Sequence, residues 1–240
     1  MSKDSILTTR NKIIKEAVKL FNTNGFGSIN LLEIAKKLEI SRGNLTYHFK
    51  EKDNLLEAIA DEMWTKIEIE RAKSRQLPSF ENLHNEIQLY YKFQKEYSFI
   101  FLDQHVLTHP CIKNKFRKMT QQTILDIKSG IAFSINLGNV KPEKIAGIYN
   151  GISFITWMLT FFWHSQSIIR GEKSKSDGEK MIWSLMIPYF TEKGIQSFKK
   201  FFGENFSYHY GVAISLFLRP VGAIANLNQN FLTGFTNKIQ

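Results

Sequence analysis

Between Leu38 and Leu55 the chain reads "LEISRGNLTYHFKEKDNL", a stretch that sets many hydrogen-bonding side chains beside few apolar anchors. An arginine such as Arg42 forks onto guanine O6 and N7, and an asparagine such as Asn44 pairs with adenine. Tyr47, His48 and Lys52 carry groups suited to phosphate oxygens, which position a protein on a duplex without reading its sequence. Leu45 and Phe49 stand four apart, the spacing of one helix face. A helix capped by Ser41 therefore turns both of them inward. Arg42, Asn44, Thr46 and Tyr47 are left facing outward. Gly43 has no side chain, so backbone and base edges can approach closely. Lys52 falls in the first turn of the next helix, where backbone N–H groups also attract phosphate.

Such a helix must be held by others. Asn30 can cap a short helix over "LLEIAKKL", Ala35 is small enough for a close crossing, and Ile40 plugs the turn before Ser41. Two short helices joined this way form a helix-turn-helix, whose second helix enters the major groove. Ser28 and Asn30, at the entry to the first of the pair, join the residues expected to face DNA. Ahead of them Ile13, Ile14, Ala17, Val18 and Phe21 recur at helical spacing, with Thr8 or Thr9 as the expected cap and Gly25 as the stop. Behind them a helix from about Glu51 to Arg75 turns Leu55, Leu56, Ile59, Met63 and Ile67 inward.

The balance of charge agrees with an anionic partner. The 240 residues carry 32 Lys and Arg against 22 Asp and Glu, a net charge of +10. Ten of those basic residues and only five acidic ones lie between Met1 and Lys52. Charge alone does not choose between nucleic acid and a membrane surface. The hydrophobic share of 43% supports a real core and excludes wholesale disorder. The one cysteine, Cys111, leaves no intrachain disulfide and no cysteine-based metal site. "MSKDSILTTRNK" has no apolar signal core, so a cytoplasmic protein is expected.

"NKIIKEAVKLFNTNGFGSINLLEIAKKLEISRGNLTYHFKEKDNLLEAI" resembles the DNA-binding domain of TetR-family transcriptional regulators, without gaps from about Arg10 to Ile59. The residues that carry the likeness are Ala17, Phe21, Gly25, Phe26, Ile34, Ala35, Gly43, Leu45, His48, Phe49, Lys52 and Leu55. Two positions depart from the family pattern. Glu39 stands where a glycine is usual, which costs on the order of 1 kcal/mol if the backbone there is left-handed. Thr46 stands where a tyrosine is usual, with Tyr47 one place later. The resemblance implies a divergent C-terminal helical domain that dimerises and often binds a small molecule, and it implies repression more often than activation.

The rest of the chain is patterned for helices, so the fold class is all-α. Residues 1–52 form the expected DNA-binding domain, with a connecting helix to about 76. A helical ligand-binding and dimerisation domain follows over 77–204. Its expected helices span about Ser79–Glu96, Tyr97–Leu107 and Pro110–Leu137. An apolar one then starts at Pro142 and runs to Ile169, and a last one, from Asp177 to Phe202, is kinked at Pro188. Residues 205–240 form an extension of unassigned role. From Ile145 to Ile169 there is no Asp, Glu, Lys or Arg, and such a helix must be buried. Ile152, Ile155, Leu159, Phe162, Trp183, Met186 and Phe190 are expected at a homodimer interface. A membrane-associated helical interaction protein is the alternative, weakened by Asn150, Ser153, Thr156, Thr160, His164 and Gln166 within the apolar stretch.

Tyr90, Phe93, Tyr97, Phe101, His105, Phe116, Trp157 and Phe161 are the expected lining of a pocket for an apolar or aromatic effector. No HExxH, GxSxG, phosphate loop or paired-carboxylate pattern is present, so no catalytic residue, metal or cofactor is expected. The partners expected are double-stranded DNA, a second copy of the chain and a small-molecule effector, and no membrane.

Overall fold

A computed structural model describes residues 3–74, 78–169 and 177–203. It is helical throughout: among the described residues the only β pairing is an isolated bridge between Val140 and Phe190. Helix α1 (Lys3–Asn24) buries Ile13, Ile14, Ala17 and Phe21. It runs through Thr8 and Thr9, so neither caps it; its stop at Gly25, with φ +83°, is the one expected. Helix α2 (Leu31–Lys37) opens with a reciprocal cap, Asn30 accepting from Glu33 N while Glu33 accepts from Asn30 N. Helix α3 (Arg42–His48) starts at Ser41, whose Oγ accepts from Asn44 N at 3.1 Å. Between them Glu39 has φ +55°, the left-handed turn for which glycine is usual.

Helix α4 (Lys52–Ser74) leads away, with Leu55, Leu56, Ile59, Met63 and Ile67 buried. Helix α5 (Phe80–Glu96) is capped by Ser79. The single segment expected over 97–107 is two short helices, α6 (Ser98–Leu102) and α7 (Gln104–Thr108). Asp103 separates them, because its side chain accepts from His105 N and starts a new helix. Helix α8 (Pro110–Asn136) follows.

Two expectations in the C-terminal half are corrected. The apolar helix α9 (Ile148–Ile169) starts six residues after Pro142 rather than at it, because Glu143 accepts from Tyr149 N at 2.7 Å and the loop folds back as a cap. Pro188 breaks the last helix rather than kinking it. Helix α10 (Asp177–Met186) ends in a 3-10 turn (Ile187–Tyr189), and α11 (Glu192–Phe202) starts afresh from a Thr191 cap. The break is used: Lys141 N donates to Tyr189 O and Thr191 N to Asn139 O, tying the segment to the α8–α9 loop.

The first core runs from Ile13 on α1 to Phe161 on α9 without interruption. Phe21 and Phe26 pack on Phe99 of α6, with centroids 5.2 and 6.4 Å apart. Asn22 reinforces the joint, donating to Glu96 O at 2.8 Å and accepting from Phe99 N at 3.0 Å. A second core gathers Ile131, Val140, Tyr149, Ile152, Trp183, Met186, Phe190 and Phe198 at the other end. No helix among the described residues is long and apolar enough to cross a membrane.

Candidate nucleic-acid interface and cavity

Helix α3 is built from two anchors and a cap. Leu45 is fully buried and Phe49 nearly so, which fixes which side faces out. Arg42, Gly43 and Tyr47 are exposed on that side, and Tyr47 keeps 70% of its surface in water, unusual for so large a ring. Asn44 and Thr46 are half-buried at its edges. A Cβ built on Gly43 meets nothing nearer than Ser41 Oγ at 3.9 Å, so nothing within the protein requires a glycine there.

Several of the expected DNA-facing groups are already engaged. Asn30 and Ser41 use their side-chain oxygens as helix caps, although both residues stay exposed, as does Ser28. The Thr46 hydroxyl donates back to Arg42 O at 3.0 Å. The ammonium of Lys52 donates to Phe26 O and sits 4.1 Å from the centre of the Phe26 ring. Burial holds its pKa below the ordinary lysine value. Lys52 thus fastens the start of α4 to the α1–α2 loop. His48 is half-buried with its Nε2 lacking a partner, and burial and the nearby Arg10 charge lower its pKa. Arg10 escaped the sequence reading. It lies 5.2 Å from the centre of the Phe49 ring, adding a cation at the C-terminal end of α3. Only the fold brings together residues so far apart in the chain.

A second feature lies at the far end of α4. A cavity of about 500 Å³ opens between the end of α4, the start of α5, the C-terminal half of α8 and the end of α10. Phe80, Leu83, Ile131, Trp183, Met186 and Phe190 give it an apolar wall. Arg71 gives it a charged one: its Nη2 lies 2.9 Å from Glu86 Oε1 and 2.5 Å from Asp126 Oδ2. Burial works against the Arg71 charge, but Tyr90, Glu86 and Asp126 around it hold its pKa above the ordinary arginine value.

This cavity is not the one expected from the aromatic residues. Tyr90, Phe93, Tyr97, Phe101, Trp157 and Phe161 are buried members of the first core, with Phe116 packed against it. Tyr90 and Phe116 each pack ring to ring on Phe161, with centroids 4.5 and 5.7 Å away. His105 is exposed. Aromatic rings at helical spacing fill a core as readily as they line a pocket, and the pattern alone does not separate the two. Nearby, His109 is engaged locally: its Nδ1 lies 3.0 Å from Cys111 Sγ and its Nε2 3.4 Å from Asp53. Burial pushes the Cys111 thiol up to about 11.

The expected dimer residues divide. Ile152, Trp183, Met186 and Phe190 are buried within the protomer, where Trp183 Nε1 donates to Glu179 at 3.0 Å and three of the four also line the cavity. Ile155 is exposed, and Leu159 and Phe162 are half-buried. With Phe154 and Met158 they form an apolar stripe along α9, on which Phe154, Ile155 and Met158 each leave more than 40% of their surface in water.

Comparison with known proteins bears on both halves. Residues 13–59 match the profile of the bacterial regulatory proteins of the tetR family, and residues 60–198 match that of a bacterial transcriptional repressor of the same name. The chain is 38% identical over 58 residues to the probable HTH-type transcriptional regulator YttP of Bacillus subtilis, covering 24% of this chain and 28% of that protein. It is 36% identical over 99 residues to the HTH-type transcriptional regulator QacR of Staphylococcus aureus, covering 37% and 51%. The matched part thus spans about a quarter to a half of these relatives. Among solved structures, a TetR-family transcriptional regulator from Marinobacter aquaeolei superposes with a TM-score of 0.72 at 21% identity, over 85% of this chain and 98% of that one.

Proposed function

This chain belongs to the TetR family of bacterial transcriptional regulators, and from that premise we propose that it is a ligand-responsive repressor that binds a near-palindromic operator as a homodimer. The observation that carries the reading is the outward face of α3, where Arg42, Gly43 and Tyr47 stand exposed over the buried Leu45 and Phe49. Arg42 reads a guanine. Gly43 lets the helix seat deeply. Tyr47, Lys36 and Lys37 meet phosphates, while Lys52 acts mainly by holding the fold in place.

Two copies are joined through the α9 stripe. A charge-free apolar face of that length exposed to water is a liability unless covered. A second copy covers it with an identical face about a two-fold axis, giving a four-helix interface. Two recognition helices then read half-sites about one helical turn apart or a little more. The effector site is the cavity beside Arg71, and α4 links it to the α3 unit. A ligand that favours a splayed dimer weakens operator binding.

The test is Arg42→Ala against selected operator DNA and against random DNA. Genomic fragments captured by the purified chain supply the operator. Specific affinity is expected to fall by about 1–3 kcal/mol and random affinity by less. Equal losses on the two DNAs would reduce Arg42 to a phosphate contact and remove base reading by α3.

A further inference from the structure

The fold commits one of the cations near α3 and leaves another uncommitted. Lys52, at the start of α4, stands where a lysine suits a phosphate. Yet its ammonium donates to Phe26 O and lies 4.1 and 5.8 Å from the centres of the Phe26 and Phe21 rings. Giving it to a DNA oxygen would break the bond that fastens α4 to the α1–α2 loop. Arg10 is in the opposite situation. It is exposed on α1, and among the described residues its guanidinium has no hydrogen bond or salt bridge. Its guanidinium carbon lies 5.2 Å from the centre of the ring of Phe49, the residue that closes α3. Its charge reaches His48, the last residue of α3, whose pKa burial lowers first and Arg10 lowers further. The Tyr47 ring meets the His48 ring edge-on, with centroids 5.3 Å apart, and is itself exposed. Arg10 and Tyr47 therefore both border His48, at the C-terminal end of the recognition helix.

We propose that Arg10 grips a DNA phosphate beside the C-terminal end of α3, taking the role that Lys52 would otherwise fill from the start of α4. This rests on α3 reading DNA, and it adds a contact from a helix outside the helix-turn-helix. The choice between the two cations is a matter of what each gives up. A phosphate oxygen pairs best with a cation that loses little on meeting it. Lys52 would lose a hydrogen bond and its seat on two rings. Arg10 loses only water and counterions, and counterion release favours binding. Its donors form a planar fork that matches two phosphate oxygens. The contact with Phe49 restrains the side chain, so less freedom is lost when the phosphate arrives. A contact between a cation and a ring at an exposed site is a weak restraint by itself. A purely structural Arg10 would therefore touch stability slightly and leave the salt dependence of DNA binding alone.

A random-sequence duplex is the probe, titrated by fluorescence anisotropy over a series of potassium chloride concentrations. The full chain is compared with Arg10→Ala, Arg10→Lys and Lys52→Gln. Each phosphate that a protein cation neutralises adds about 0.9 to the slope of log affinity against log salt. Arg10→Ala is expected to shrink that slope by about one unit for each bound protomer and to weaken low-salt binding by about tenfold. Arg10→Lys keeps the charge and should keep the slope. Lys52→Gln should keep the slope too and lower the thermal midpoint instead. Arg10 is exposed on a helix, where alanine is a strong helix former, so Arg10→Ala folds, as circular dichroism checks. An unchanged slope for Arg10→Ala would overturn the assignment whether or not affinity fell. A slope that shrinks for Lys52→Gln and not for Arg10→Ala would return the phosphate to Lys52. A slope that falls as far with Arg10→Lys would assign the change to the lost ring contact, and the proposal fails again. Failure of the underlying reading looks different. A wild-type chain that binds neither this duplex nor any genomic fragment removes DNA reading by α3 itself, whereas normal wild-type binding with an unchanged Arg10→Ala slope removes Arg10 alone.

Discussion

The turn between α2 and α3 offers a perturbation whose size can be worked out. Glu39 sits at φ +55°, the only positive-φ residue other than glycine among the described residues. For a residue with a Cβ this conformation costs about 1–2 kcal/mol. The turn's own bonds are backbone ones, Glu39 N to Lys36 O at 3.2 Å and Ile40 N to Ala35 O at 3.1 Å, so a glycine keeps them. The side chain is exposed, so no packing is lost. Against the relief stands the extra freedom that glycine gives the unfolded chain, about 0.4–1 kcal/mol. Glu39→Gly is therefore expected to stabilise the fold by about 0.5–1 kcal/mol, a rise in thermal midpoint of about 1–4 °C for a chain of this size. Glu39→Gln keeps the Cβ and removes only the charge. Differential scanning calorimetry of the three proteins at matched concentration separates the causes. A midpoint for Glu39→Gly at or below wild type would refute the strain argument. An equal rise for Glu39→Gln would assign the effect to charge.

Other perturbations probe the remaining elements. Met158→Glu places a carboxylate on the α9 stripe without touching the interior, since Met158 is 43% exposed; light scattering is expected to show a dimer for wild type and a monomer for the variant, and an unchanged mass would move the interface elsewhere. Arg71→Met strands two carboxylates, but both reach water in part, so the expected loss is about 2–3 kcal/mol, below the roughly 3–5 of a fully buried pair. Adding Glu86→Gln and Asp126→Asn should recover most of it in urea unfolding, and a triple variant as unstable as the single would mean that packing, not charge, is what Arg71 supplies. His48 is held below its ordinary pKa of 6.5 by burial and Arg10. Below about pH 6.5 the unfolded chain therefore binds a proton that the folded chain resists, so stability is full above that pH and falls with acidification. His48→Gln should flatten the decline of thermal midpoint between about pH 6.5 and 5, and an unchanged decline would place it on other groups, His164 among them.

What could be read from sequence alone was local. The caps at Asn30 and Ser41 each depend on a few consecutive residues, and each stands where expected; the left-handed turn at Glu39 was signalled only by the glycine that the resemblance puts there. Leu45 and Phe49 declared their direction by spacing, because a short helix has only one face to bury. What could not be read depends on residues distant in sequence. Asn22 bridges to Glu96 and Phe99, and Arg71 pairs with Asp126 across 55 positions. Neither link leaves a periodic trace. The break at Pro188 was legible as a disturbance but not as a break, because the decisive partner is Asn139 in another loop. The apolar helix misled in a more instructive way. Its residues are apolar on every face, so pattern could not say which face meets its own protomer. The fold assigns Ile152, Trp157 and Phe161 to the interior and leaves Phe154, Ile155 and Met158 outside.

The placement of Arg71 sets a bound on how the cavity can act. Lys52 and Arg71 sit near opposite ends of α4, about 28 Å apart at the ordinary helical rise. At one end Lys52 is tied to Phe26 O, and at the other Arg71 is tied to α5 and α8. A ligand that competes for the second tie can shift the balance between two poses of α4 by no more than that tie is worth, about 2–3 kcal/mol by the reasoning above. Moving a two-state balance from nearly all bound to nearly all released takes about 5.5 kcal/mol. One ligand in one protomer therefore falls short. Two ligands in a symmetric dimer, each acting on its own α4, supply about twice as much and reach the required range. If the protomers pair along α9 as proposed, that pairing serves the response as well as operator reading, because a single cavity of this kind does not complete the switch by itself.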